Sequence, residues 1–127
     1  MPKRFVSRRL HGYLDFLTVG LILVGPEVFR VRDSRPSTVP ARFFALTVAL
    51  LSVLTDYGPK NDPLEFGGPR MLSMRTHVKI DAIGAVAVGA IPLATGSCRR
   101  GWNYWAPQLL IASTETFFAL TTKLEDD

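Results

Sequence analysis

Four apolar segments, separated by short polar stretches, constrain the fold of this 127-residue chain more than any other feature. They cover about residues 10–29, 40–54, 78–95 and 106–122. A helix that crosses a lipid bilayer needs roughly 20 predominantly apolar residues. The first and third segments meet that length, whereas the second and fourth are shorter or more polar.

Charge is missing from the middle of these segments. Residues 16–26, 43–55 and 82–97 contain no Asp, Glu, Lys or Arg. A helix of a water-soluble bundle carries an apolar stripe and a charged opposite face. The pattern therefore predicts an all-α, polytopic membrane protein with four transmembrane helices, formed by residues 1–127 as a single membrane domain.

An internal repeat divides the chain into two halves. Residues 9–15 and 75–81 share the pattern Arg-x-His-x-x-x-Asp at a spacing of 75 − 9 = 66, and both histidines of the chain lie in it. Later identities fall at a spacing of 67. We therefore predict two tandem helical hairpins, repeat 1 over about residues 9–57 and repeat 2 over about residues 75–123. Such a parallel duplication has its pseudo-twofold axis along the membrane normal.

Three short motifs resemble a bacterial family. They are His-Gly-x-x-Asp at residues 11–15, Thr-Asp-Tyr at residues 55–57 and His-x-x-x-Asp at residues 77–81. The chain is similar in these motifs to small four-helix membrane proteins of the SPW-repeat type. It departs from the family's Pro-Trp pairs, because neither Pro26 nor Pro92 is followed by tryptophan. The resemblance implies four membrane helices in a bacterial inner membrane, and it implies no activity.

Seven polar residues form the candidate functional network: Arg9, His11, Asp15, Arg75, His77, Asp81 and Glu115. His and Asp four residues apart share one helix face, so the repeat places two such pairs at similar depth. Glu115 lies near the middle of the fourth segment and corresponds to Val48, since 115 − 67 = 48. Ionisable residues at membrane depth face the protein interior and mark candidate functional sites. Glu115 could instead be protonated and hydrogen-bonded to a neighbouring helix, or it could indicate that the fourth helix faces other protein rather than lipid.

The two His/Asp pairs leave four interpretations open. They could bind a metal through imidazole and carboxylate, or relay protons. His11 and His77 could also be the cofactor-binding residues for haem or a chlorophyll-type pigment. Alternatively, each Asp orients a His in a self-satisfied structural network. The sequence alone assigns no residue as a metal ligand and requires no cofactor.

Several function classes are disfavoured. No phosphate-binding loop, nucleophile motif or metalloprotease motif occurs, and we interpret Gly67 and Gly68 as loop residues. We therefore predict that the chain has no catalytic residue and is not an enzyme. The net charge is +4, but Lys and Arg lie at the ends of apolar segments, so nucleic acid is not an expected partner. The single cysteine, Cys98, permits neither an intramolecular disulfide nor a cysteine zinc site.

The leading functional hypothesis is a non-enzymatic subunit of a larger membrane complex, such as a respiratory or photosynthetic assembly. Its partners would be membrane lipid and other membrane protein subunits. One alternative is a small transporter or proton-coupled channel that uses the His/Asp pairs. The other is a membrane protein that binds haem, a pigment or a metal.

Four crossings put both termini on one side of the membrane. Nine of the 15 basic residues fall on that side: Lys3, Arg4, Arg8, Arg9, Lys60, Arg70, Arg75, Lys79 and Lys123. The positive-inside rule then predicts cytoplasmic termini. On the opposite side, Trp102, Tyr104 and Trp105 are expected to form an interfacial belt just before the fourth helix.

Overall fold

The computed structural model describes residues 3–58 and 69–124, and within them every regular element is helical. The four α-helices are α1 (Arg8–Val28), α2 (Arg35–Leu54), α3 (Met74–Ala94) and α4 (Trp102–Thr121). A short 3-10 turn, Ser97–Arg99, precedes α4. The prediction of an all-α chain with four helices is confirmed. The expectations for Lys60, Gly67 and Gly68 lie outside the described residues.

Helix α2 begins five residues before the predicted segment. Ser34 is its N-cap, and a proline occupies the first turn, where its missing N–H would have no intrahelical partner. Residues 35–39, which precede the second apolar segment, are therefore helical, and α2 reaches 20 residues. The expectation of a short second segment was wrong. Within the described residues, two helices, α2 and α3, are long and apolar enough to cross a membrane.

The first and third helices begin and end alike. Ser7 and Ser73 are their N-caps, and each side chain accepts a hydrogen bond from the backbone N–H three residues later. After the helices, Arg30 and Gly96 both have a left-handed backbone, with φ of 56° and 69°. The two members of each pair are 66 residues apart, since 73 − 7 = 66 and 96 − 30 = 66.

Helix α1 packs mainly against α2, and α3 packs mainly against α4, so the chain forms two helical hairpins. Two isolated backbone bridges connect their ends, one between Val6 and Thr122 and one between Thr55 and Leu72. These bridges correspond to each other, because 72 − 6 = 66 and 122 − 55 = 67. The start of α1 is thereby held against the end of α4, and the start of α3 against the end of α2.

The bundle has a polar interior and an apolar surface. Its buried polar side chains include His11, Asp15, Ser52, Thr55, His77, Asp81, Glu115 and Thr122. Its exposed apolar side chains include Leu17, Leu21, Phe43, Leu46, Leu50, Ile83, Val86, Leu93 and Leu110. Trp102 is also exposed, and it lies in the first turn of α4 rather than before the helix as predicted.

Candidate functional site: a buried His/Asp cluster

Four of the seven predicted network residues meet in the bundle interior. His11 and Asp15 come from the first two turns of α1, and His77 and Asp81 come from the same turns of α3. Their relative exposures are 0%, 3%, 1% and 6%. We call these four residues the His/Asp cluster. Charged and polar groups this deeply buried need close protein partners, because no bulk water is present in the interior to solvate them.

Each histidine approaches both carboxylates. Nε2 of His11 lies 3.2 Å from Oδ1 of Asp15 and 3.3 Å from Oδ2 of Asp81. Nε2 of His77 lies 3.1 Å from Oδ2 of Asp15 and 3.1 Å from Oδ2 of Asp81. The cluster therefore connects the two hairpins, and each carboxylate contacts the histidine of its own helix and that of the other hairpin.

The outward nitrogens of the two rings are held by threonine hydroxyls. Nδ1 of His77 lies 2.7 Å from Oγ1 of Thr55, and Nδ1 of His11 lies 2.5 Å from Oγ1 of Thr122. Both threonines are buried at the ends of the second helices of the hairpins. The repeat had already paired Thr55 with Thr122 at a spacing of 67 residues, since 122 − 55 = 67. The sequence did not link either threonine to a histidine, because those contacts join different hairpins.

Tyr57 makes the two halves of the site unequal. Its hydroxyl donates a hydrogen bond to Oδ2 of Asp15, and its ring lies against Gly12, where a Cβ would be only 2.9 Å from two ring carbons. In the second half, Val78 stands in place of Gly12, and Leu124 stands in place of Tyr57. Leu124 packs against an apolar core of Met74, Val78 and Ala119. Burial and the negative charge of Asp15 raise the pKa of Tyr57 above its ordinary value, so the phenol stays a donor.

The other three predicted residues do not join the cluster. Arg9 and Arg75 are exposed in the first turns of α1 and α3. Glu115 is buried with 2% exposure, and it precedes Thr122 by seven residues, about 10 Å along α4. In the described part of the chain, no hydrogen bond or ion pair joins its carboxyl group to another side chain.

A separate apolar cavity of about 280 Å³ lies away from the cluster, toward the end of α1. Its walls come from all four helices and include Ile22, Pro26, Pro40, Val88 and Pro107. Gln108, buried on α4, is one of the few polar residues that line it. The sequence did not predict this cavity, because its walls come from four helices whose packing no local pattern specifies.

The geometry bears on the cofactor hypotheses. The two imidazole rings are nearly perpendicular, with centroids 5.2 Å apart, and one carboxylate oxygen of Asp81 contacts both Nε2 atoms. To hold a haem between them, the two histidines would have to break these contacts and make room for a porphyrin. A single ion needs no such rearrangement, and the ligand atoms of His11, Asp15 and His77 already lie within 4.8 Å of one another.

Comparisons of the chain with protein families, curated proteins and solved structures found no match. The similarity to the SPW-repeat type therefore stays a prediction based on the short motifs.

Proposed function

We propose that this chain is an integral membrane protein whose four helices all cross the bilayer, and that it serves as a non-enzymatic subunit of a larger membrane assembly. The observation that carries the membrane part is the distribution of side chains around the bundle. Large apolar residues such as Phe43, Ile83, Val86 and Leu93 are at least 70% exposed, whereas histidines and carboxylates are buried. Water-soluble bundles have the opposite arrangement, and lipid favours this one.

The helix lengths support four crossings. The helices contain 20 or 21 residues each, which at 1.5 Å per residue is about 30 Å, the thickness of the hydrocarbon core. Helices α1 and α4 contain charged residues, yet these do not need to face lipid. Asp15 and Glu115 point into the bundle, and Arg8, Arg9 and Glu27 lie within the end turns of α1.

Basic residues support the orientation. With four crossings, the start of α1 and the end of α4 lie on one side, together with the end of α2 and the start of α3. Nine of the 15 basic residues fall on that side, so the proposal places both termini in the cytoplasm. Trp102, 65% exposed at the start of α4, is then an anchor at the opposite interface.

A shallow groove on α4 supports the presence of a partner helix. It is lined by Leu109, Ala112, Ser113, Thr116 and Phe117. Small side chains at this spacing let the backbones of two membrane helices approach closely. The hydroxyls of Ser113 and Thr116 donate to backbone carbonyls of their own helix, so they can lie in an apolar contact without unsatisfied donors.

The membrane proposal is tested by alkaline extraction of cell membranes that contain the full chain. We expect the chain to stay in the pellet until detergent is added. Recovery in the aqueous supernatant without detergent would overturn the membrane assignment and the subunit role together.

The subunit role is tested separately by purification in mild detergent. We expect another membrane protein to co-purify, and Ser113→Leu with Thr116→Leu to weaken that association at least tenfold by filling the groove. The matched control is Ala82→Leu with Ala87→Leu, which adds the same side chain at exposed positions of α3. A parent protein recovered only as a lone species would refute the subunit role and leave the membrane assignment standing.

A further inference from the structure

The interior atoms of the His/Asp cluster are short of hydrogen bonds although they are crowded together. Nε2 of His11, Nε2 of His77 and Oδ2 of Asp81 are buried, and none has a hydrogen-bond partner among residues 3–58 and 69–124. The distances from the two Nε2 atoms to Oδ2 of Asp81, 3.3 and 3.1 Å, are short enough for hydrogen bonds. The angles at these atoms are therefore what prevents the hydrogen bonds. Buried polar atoms without partners are rare and require an explanation.

We propose that His11, Asp15, His77 and Asp81 bind one divalent transition-metal ion between the two hairpins. Atoms that surround a common point face that point rather than one another, which is the arrangement that leaves their mutual hydrogen bonds unmade. An ion at the centre would be contacted by both Nε2 atoms and by one oxygen of each carboxylate.

The spacing of the four groups agrees with such a site. In a tetrahedral zinc site with bonds of about 2.1 Å to nitrogen and oxygen, neighbouring ligand atoms are about 3.4 Å apart. The four nitrogen–oxygen distances in the cluster are 3.2, 3.3, 3.1 and 3.1 Å. These contacts involve both oxygens of Asp15 and Oδ2 of Asp81, so each histidine Nε2 lies within a few tenths of an ångström of the nitrogen–oxygen spacing of such a site.

The hydrogen bond of His77 to Thr55 assigns the tautomer that a metal ligand requires. The hydroxyl of Thr55 donates its proton to the carbonyl of Leu51, 2.6 Å away. It must therefore accept from Nδ1–H of His77 at 2.7 Å. In the neutral imidazole this leaves the lone pair on Nε2, the atom that faces the cluster. Metal-bound histidines usually have such a partner on the other ring nitrogen.

Charge and ligand type select the class of ion. Two carboxylates balance one divalent cation, so the buried site carries no net charge. Two imidazole nitrogens with two carboxylate oxygens favour zinc and neighbouring first-row metals over calcium and magnesium, which prefer oxygen alone. The chain has only two histidines, so a metal with imidazole ligands must use this site.

The test uses the full chain, purified in detergent through a tag that contains no histidine and stripped with a chelator. We expect one Zn²⁺ per chain after reloading and desalting, measured by elemental analysis. Zn²⁺ should raise the unfolding temperature, and Mg²⁺ at the same concentration should leave it unchanged. Co²⁺ in place of Zn²⁺ should give the visible absorption bands of a tetrahedral site.

Variants assign the binding to the cluster. His77→Ala should lower Zn²⁺ affinity at least 100-fold and remove the cobalt bands. Glu115→Gln, which changes a buried carboxyl outside the cluster, should keep both signals. If His77→Ala does not fold, the parent protein still decides: a stripped chain that takes up no Zn²⁺ and shows no cobalt bands overturns the proposal. Zn²⁺ uptake that survives in a folded His77→Ala variant also overturns it.

Discussion

Nδ1 of His77 on α3 donates a hydrogen bond to Oγ1 of Thr55, the residue that ends α2, across 2.7 Å. The two residues belong to different hairpins, and both are buried. The same contact recurs between His11 and Thr122. A hydroxyl at the end of each hairpin therefore orients a ring at the start of the other, and stability and site geometry depend on the same two contacts.

Replacing Thr55 by valine keeps the shape of the side chain and removes the acceptor. The Nδ1–H of His77 would be left buried without a partner, so we expect the free energy of unfolding to fall by about 1–3 kcal/mol. Denaturant unfolding in detergent, followed by circular dichroism, measures this loss. Thr55→Ser keeps the hydroxyl and should retain most of the stability.

Thr116→Val is the matched control for Thr55→Val. The exposed hydroxyl of Thr116 donates to the carbonyl one turn earlier, that of Ala112. We expect a change within about 0.5 kcal/mol. Equal losses in Thr55→Val and Thr116→Val would show that the bond to His77 contributes nothing.

Gly12 should tolerate no side chain. A Cβ at this position would lie 2.9 Å from the ring of Tyr57, which would have to move and lose its hydrogen bond to Asp15. We expect Gly12→Ala to destabilise by about 1–3 kcal/mol. Gly20→Ala, in the same helix with nothing within 4 Å, should stabilise by about 0.5–1 kcal/mol. Similar melting temperatures for the two variants would contradict the close contact.

The phenol of Tyr57 should lose its proton only at a pH above the ordinary range for tyrosine. Its pKa is raised by burial and by the charge of Asp15, so the folded state binds the phenolic proton more tightly than the unfolded state. The stabilisation is complete below the unfolded value of about 10 and is lost as the pH rises above it. Ultraviolet titration should show one of the three tyrosines ionising only as the protein unfolds. That late step should be missing in Tyr57→Phe, and its persistence there would assign it to another residue.

Arg30 carries a left-handed backbone that costs a residue with a Cβ about 1–2 kcal/mol. Gly96 occupies the corresponding position after α3. We expect Arg30→Gly to stabilise by up to about 1 kcal/mol, because part of the gain is offset by the greater freedom of glycine in the unfolded chain. Gly96→Ala should destabilise by a similar amount, because its backbone at φ 69° is left-handed. No clash adds to this loss, because no atom lies within 4 Å of the added methyl group. Thermal unfolding of both variants measures the difference, and shifts of the same sign would contradict this account.

The sequence by itself determined the local features of this protein. The four apolar segments predicted four helices. The spacing of four between His and Asp predicted that each pair shares one helix face, because that depends only on the helical period. The early start of α2 was also encoded locally, in Ser34 and the proline of the first turn, but the arginines around them gave the segment the composition of a loop.

Only the tertiary structure decided which faces meet. The contact of His11 with Thr122 joins residues 111 positions apart, and the contact of Tyr57 with Asp15 joins residues 42 positions apart. No local pattern specifies such contacts, because they depend on how two hairpins pack against each other. The same packing turns two ordinary His/Asp pairs into one buried cluster, in which each histidine contacts the carboxylates of both hairpins.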